Sequence, residues 1–137
     1  MAKGKFDDVS KDPGVLQMKQ TTESLNQAAD DYDLFAGATQ AVMLEKLSVK
    51  MPTGACGGSL TSISIQTDDA TPGVIITSTA GAVGNLTSEA EVSWTGAMLI
   101  NVGTKIQLTI AGGAHGAAYV CDVIAEYRAV VSGGYLA

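Results

Sequence analysis

The sequence predicts an all-β protein with one sandwich of short antiparallel strands. The first indication is that apolar and polar residues alternate over short runs, which is the pattern of strands with one buried face. The second is that Gly, Pro, Asn and Asp interrupt the chain roughly every 8 to 14 residues. The third is composition, because charged residues make up only 16% of the 137 residues and 16 residues are glycine. This composition favours a β domain with many turns over an exposed helical bundle.

Residues 1–28 differ from the rest of the chain in charge. Four of the eight basic residues fall there, and the apolar residues follow neither a strand nor a helix period. We therefore predict an N-terminal arm or leader over 1–28, either a short helix with coil or a segment that orders only against a partner. A β-sandwich domain follows over 29–137. The candidate contacts of the arm with a partner are its isolated apolar side chains: Phe6, Val9, Leu16, Met18 and Leu25.

The first half of the predicted sandwich contains four strands, over about 31–36, 41–51, 60–67 and 74–79. Ile63 and Ile65 alternate with polar residues and are expected to face the core. Glu45 falls on the apolar face of the second strand, so a bulge or an oligomer contact is predicted there. The other members of that face are Met43, Leu47, Val49 and Met51.

The second half adds strands over about 90–94, 97–102, 105–110 and 117–131. Gly96 is expected to separate the first two of these strands. The third alternates most regularly, with Ile106, Leu108 and Ile110 facing inward. The last strand has one apolar face, which consists of Tyr119, Cys121, Val123, Ala125 and Tyr127. Regular spacing of about eight strands predicts a sandwich or barrel, and eight strands allow a jelly roll.

The residue types that carry catalysis are few and scattered. His115, the one histidine, lies in a glycine-rich turn and could act as a base only beside a suitable partner such as Cys56. Cys121 is expected to be a small residue of the core. Two free thiols are expected in a reducing compartment, with a Cys56–Cys121 disulfide as the alternative. No zinc ligand set, calcium loop or phosphate-binding glycine motif is present, so we assign no catalytic, cofactor or metal residues.

Net charge and hydropathy restrict the partners. Acidic residues outnumber basic ones 14 to 8, for a net charge of -6, which disfavours binding to nucleic acid through its phosphates. No run reaches the roughly 18 consecutive apolar residues of a membrane span, and no secretory signal pattern opens the chain. We therefore expect synthesis in a cytosol and neither nucleic acid nor membrane as a partner.

A resemblance to a known class rests on strand order and composition over residues 30–134. Tyr32-Asp33-Leu34-Phe35 leads into Gly37 and the apolar run 42–47, then follow the alternating run 103–110, a glycine-rich turn and the closing strand 121–128. This layout resembles small virion structural proteins of tailed bacteriophages, and in particular capsid decoration or cement proteins. The resemblance implies a β-rich, often trimeric subunit on the outer face of the head. Its partner would be the major capsid protein, with assembly in the host bacterial cytoplasm and no cofactor or catalysis.

Three alternatives stay open from the sequence. One is another virion module, such as a tail, head–tail connector or head-fibre component. A second is a receptor- or carbohydrate-binding β-sandwich, which the low aromatic content of 5% disfavours. The third is an enzyme that uses Cys56 or His115, which has the least support from the residues present.

Overall fold

The computed structural model describes residues 11–137, which form two facing antiparallel sheets and so confirm the predicted all-β sandwich. A single-turn 3-10 helix, Val83–Asn85, lies among the loops. The described residues contain nine strands: β1 (Leu16–Ser24), β2 (Asp31–Ala38), β3 (Val42–Lys50), β4 (Ser62–Thr67), β5 (Val74–Ile76), β6 (Glu91–Ile100), β7 (Lys105–Ala111), β8 (Val120–Ala129) and β9 (Tyr135–Leu136).

The order of the strands makes the sandwich a jelly roll. One sheet has the order β1-β8-β3-β6 and the other the order β5-β4-β7-β2-β9. Strand β1 pairs with β8, β2 with β7, β3 with β6 and β4 with β5, all antiparallel. This is the pairing of one long hairpin whose two halves are wrapped into facing sheets, the arrangement of a double Greek key. Strand β9 extends the second sheet beside β2.

The core lies between the sheets and is built from the predicted inward faces. The regular alternation of β4 and β7 is confirmed, because Ile63, Ile65, Ile106 and Leu108 are fully buried. The predicted apolar face of the last strand is also confirmed, since all five of its residues are buried. Burial of this kind stabilises the fold by about 1.5–3 kcal/mol for each large aliphatic side chain.

The predicted boundary at residue 28 is wrong for the second half of the leader. Residues Leu16–Ser24 form β1, which pairs with β8 at all nine positions. The next residue, Leu25, is fully buried, and its backbone N–H donates to the Tyr119 carbonyl at 2.8 Å. The segment is thus a strand of the jelly roll rather than an arm. The first ten residues, with Phe6 and Val9, lie outside the described residues.

The predicted break at Gly96 is also wrong, because β6 runs without interruption through it. A Cβ at Gly96 would lie 2.6 Å from the indole ring of Trp94. The glycine therefore makes room for Trp94, which packs against the core, and does not end the strand. Gly96 and Ala97 fall at a shift in register, between the pairs Lys46↔Thr95 and Leu44↔Met98.

The predicted bulge at Glu45 is confirmed on β3. The register with β8 shifts between Leu44 and Lys46, which leaves Glu45 as the extra residue. A bulge reverses which side of a strand faces the core. Residues Val42 and Leu44 are therefore buried before the bulge, whereas Leu47 and Val49 are buried after it. Met43, which the sequence pattern placed with Leu47, faces outward instead.

Candidate interaction surface

Strand β1 carries its apolar residues on the outside of the sandwich. Its outward positions include Leu16 and Met18, which are 47% and 64% exposed. Its other face lies beside the buried residues of β8 and is polar: Gln17, Lys19, Thr21 and Glu23. Because β1 is at the sheet edge, these polar groups reach solvent or local partners, as when the Tyr127 hydroxyl bonds to the Gln17 side chain at 3.2 Å. The result is a strand with reversed amphipathicity.

The outer face of the β1-β8-β3-β6 sheet combines apolar and charged side chains; we call it the outer face. Cross-strand register places Leu16, Arg128, Met43 and Leu99 in one row across the four strands. Leu99 is 48% exposed. A shallow depression of about 250 Å³ opens farther along the same face, and it is lined by Met18, Lys46, Ser48, Lys50, Glu91, Ile124 and Glu126. The outer face thus presents apolar side chains that are surrounded by charged ones.

The charges on the outer face are largely paired with one another. The Arg128 guanidinium Nε lies 3.1 and 3.0 Å from the two carboxylate oxygens of Glu45. Lys46 and Glu126 approach to 3.9 Å, and Gln20 donates to the Asp122 carboxylate at 3.2 Å. Both ion pairs are partly exposed, so each contributes at most about 1 kcal/mol to stability. Their pairing lowers the electrostatic cost of bringing a protein partner onto this face.

The outer face of the other sheet is different in chemistry. Its outward residues on β2 and β7 bond to one another: Gln107 donates to Asp33 at 2.8 Å, and the Lys105 ammonium lies 3.1 Å from Asp33. These bonds hold the pKa of Asp33 below its ordinary value, first through Gln107 and then through Lys105. A small, polar, internally bonded surface is typical of a sheet that faces solvent. The first sheet is therefore the better candidate for contact with a partner.

The predicted contact residues fall into three groups in the structure. Leu16 and Met18 are exposed on β1, where a partner can reach them. Leu25 is fully buried, so its predicted role as a partner contact is wrong: the turn after β1 carries it into the core. Phe6 and Val9 lie outside the described residues. Sequence reasoning missed Met43, because the bulge at Glu45 was not carried through to the reversal of the strand.

His115 and Cys56 are close in the fold, but their contacts are those of a docked loop. The Gly57 backbone N–H donates to His115 Nδ1 at 2.9 Å, and the His115 ring lies 4.3 Å from the ring of Tyr119. The Tyr119 hydroxyl donates to the Gly54 carbonyl at 2.7 Å. Burial raises the pKa of the Cys56 thiol, which is opposite to the change an activated thiol requires. Cys56 and Cys121 are both free and buried.

Residues 11–137 contain neither a metal-binding cluster nor a membrane-spanning helix. No three His, Cys, Asp or Glu residues there are placed to hold a metal ion. No helix among the same residues has the length and hydropathy needed to cross a membrane.

Comparison with solved structures gives two full-length likenesses to phage capsid chains. A chain from the capsid asymmetric unit of cyanophage Pam1 superposes with a TM-score of 0.58 at 13% identity, covering 85% of this chain and 86% of that one. A chain from the acid-stable capsid of Helicobacter pylori bacteriophage KHP30 gives 0.56 at 10% identity, covering 91% and 94%. Neither a protein-family model nor a curated protein matches the sequence.

These two likenesses define a class by fold. The chain is a small single jelly roll, and the two phage chains are similar to it over nearly their whole lengths. The predicted resemblance to phage virion structural proteins is thus confirmed at the level of the fold.

Proposed function

We propose that this protein is a structural subunit of a phage virion that binds the outer surface of the head as a decoration or cement protein. The observation that carries the proposal is the reciprocal coverage of the two phage capsid chains, which are close to this chain in length. A single jelly roll of this size is suited to sitting on a shell as one compact unit. The partner is the major capsid protein, and the protein resides on the virion after assembly in the bacterial cytoplasm.

The surface chemistry supports a structural role. The outer face presents Leu16, Met18 and Leu99 beside paired charges, which suits burial against another protein. Part of this area is available for contacts between copies, and we propose a homo-oligomer, most simply a trimer. Repeated contacts across such an oligomer would strengthen shell binding through avidity. Residues 1–10, with Phe6 and Val9, are proposed to add contacts along the shell.

The proposal is tested by adding the purified protein to phage shells assembled without it. We expect saturable binding at a fixed number of copies per shell and a higher temperature of shell disruption. Met18→Asp places a carboxylate on the outer face and should weaken binding. The matched control is Ser64→Asp, which adds the same charge at a half-buried position in the middle of β4, on the other sheet, and should bind as the wild type does. Absence of wild-type binding would contradict the decoration role.

The oligomer needs a separate measurement. Native mass spectrometry of the free protein should give a closed homo-oligomer, and a trimer is expected. A monomer at concentrations that saturate the shell would contradict this part of the proposal while leaving shell binding intact.

A further inference from the structure

The loops of a jelly roll lie at the two ends of the sandwich, and strand β1 starts at one of these ends. Antiparallel pairing places the starts of β1, β3, β5 and β7 beside the ends of β2, β4, β6 and β8. We call this the proximal end; it consists of residues 11–15, 39–41, 68–73, 101–104 and 130–134. Its loops contact one another, as when the Thr104 hydroxyl donates to the Asp69 carboxylate at 3.1 Å. The longer loops lie at the opposite, distal end.

Exposed apolar side chains are concentrated at the proximal end. Among the described residues, eight large apolar side chains are exposed. Six of them lie in the proximal loops or at the strand termini that border them: Leu16, Val74, Leu99, Val102, Val130 and Val131. Met18 follows one step along β1, and only Val120 lies at the distal end. Exposed apolar residues gathered in one region indicate an interaction surface more strongly than scattered ones.

The N-terminal segment is held against this same end. Gly133 N–H donates to the Lys11 carbonyl at 3.0 Å, and the Lys11 ammonium lies 4.5 Å from the Tyr135 ring centroid. The Arg128 guanidinium donates to the Gly14 carbonyl at 2.6 Å. These contacts hold the segment 11–14 at the proximal end.

Charge at the proximal end disfavours contact between two such ends. Asp12, Asp68 and Asp69 outnumber the one cation of these loops, Lys11, which lies over the Tyr135 ring. Lys105, at the start of β7, is paired with Asp33 of β2 at 3.1 Å. A symmetric contact between two proximal ends would bring these acidic groups together across an apolar interface, where like charges are costly. A different protein surface, apolar at its centre and basic at its rim, would be complementary.

We infer that the proximal end, formed by the loops and strand termini described above, is the footprint of this protein on the phage shell. This inference deepens the proposed function and rests on it. It assigns the shell-facing role to the proximal loops and their apolar residues. The distal loops, with the His115 and Tyr119 contacts, then face away from the shell.

The test compares single carboxylates at the two ends. Val102→Asp and Val131→Asp alter side chains that are 56% and 48% exposed, and the control Val120→Asp alters one that is 49% exposed at the distal end. We expect the two proximal variants to bind shells at least about tenfold more weakly, as for a charge placed in a desolvated contact. The distal variant should bind within about twofold of the wild type. Urea unfolding of each full-length variant checks that the fold is retained.

Three outcomes would overturn the inference, and they are distinguishable. If the wild type binds shells and both proximal variants bind equally well, the footprint lies elsewhere while the decoration role stands. If the proximal variants bind weakly because native mass spectrometry shows their free oligomer dissociated, the proximal end is a contact between copies. If the wild type itself does not bind, the decoration role fails and the footprint with it.

Discussion

Leu25, the residue that follows β1, belongs to the core, and its truncation in Leu25→Ala tests this placement. The side chain is fully buried. Its backbone is fixed on both sides, because its N–H donates to the Tyr119 carbonyl at 2.8 Å and its own carbonyl accepts the His115 N–H at 3.0 Å. The surrounding chain therefore has little freedom to collapse into the space that Leu25→Ala would leave. Loss of the buried side chain and the unfilled cavity together should cost about 3 kcal/mol, within the usual range of about 2–5 kcal/mol.

Urea unfolding of the full-length protein, followed by tryptophan fluorescence, measures this cost. The matched control is Met18→Ala, which removes a side chain that is 64% exposed on the adjoining strand and should change the free energy of unfolding by less than about 0.5 kcal/mol. Shell binding by the folded protein should show the opposite order: Met18→Ala should weaken it more than Leu25→Ala does. A Leu25→Ala cost below about 1 kcal/mol would refute the placement of Leu25 in the core.

Three further measurements probe the core, the outer face and the thiols. Leu108→Ala, in the middle of β7 and fully buried, should lower the free energy of unfolding by about 2–5 kcal/mol in the same assay; a change near zero would contradict the inward face of β7. Arg128→Ala breaks a partly exposed pair with Glu45 and should cost about 1 kcal/mol or less, with the difference from wild type shrinking at high salt. Burial raises the pKa of Cys121 to about 12, against about 8.5 in an unfolded chain. Only the unfolded state then ionises between these values, so stability should fall above about pH 8.5, and Cys121→Ala should make that decline shallower in urea titrations at successive pH values.

The inward strands could be predicted from sequence because their pattern is self-consistent. In β7 each apolar residue is two positions from the next, and the partner strand β4 has the same period. The buried and the exposed face of both strands therefore follow from this alternation alone. The same holds for β8, where five alternate residues are buried. Those strands have a face that is buried along its whole length, and period-two reasoning is reliable there.

Strand β1 could not be predicted in the same way. It is an edge strand whose core-facing positions are polar and whose apolar residues, Leu16 and Met18, face outward, so no alternation points inward. Its backbone is ordered through nine pairings with β8, an interaction that side-chain pattern does not report. The reversal of Met43 had a visible signal, because Glu45 interrupts an apolar face. The outward orientation of Met43 follows only when Glu45 is counted as an inserted residue, which puts Met43 and Leu47 on opposite faces of the strand.

The topology also explains why residues 11–15 and the exposed loops lie at the same end of the sandwich. In a jelly roll the first strand pairs with the eighth, so the residues before β1 and those after β8 necessarily leave the sandwich at the same end. Here that geometry brings Lys11 onto the Val130–Gly134 loop through Gly133 and Tyr135. The exposed residues Val74, Val102, Val130 and Val131 are spread along the sequence and lie at one end of the sandwich because strand pairing, and not proximity along the chain, brings them there.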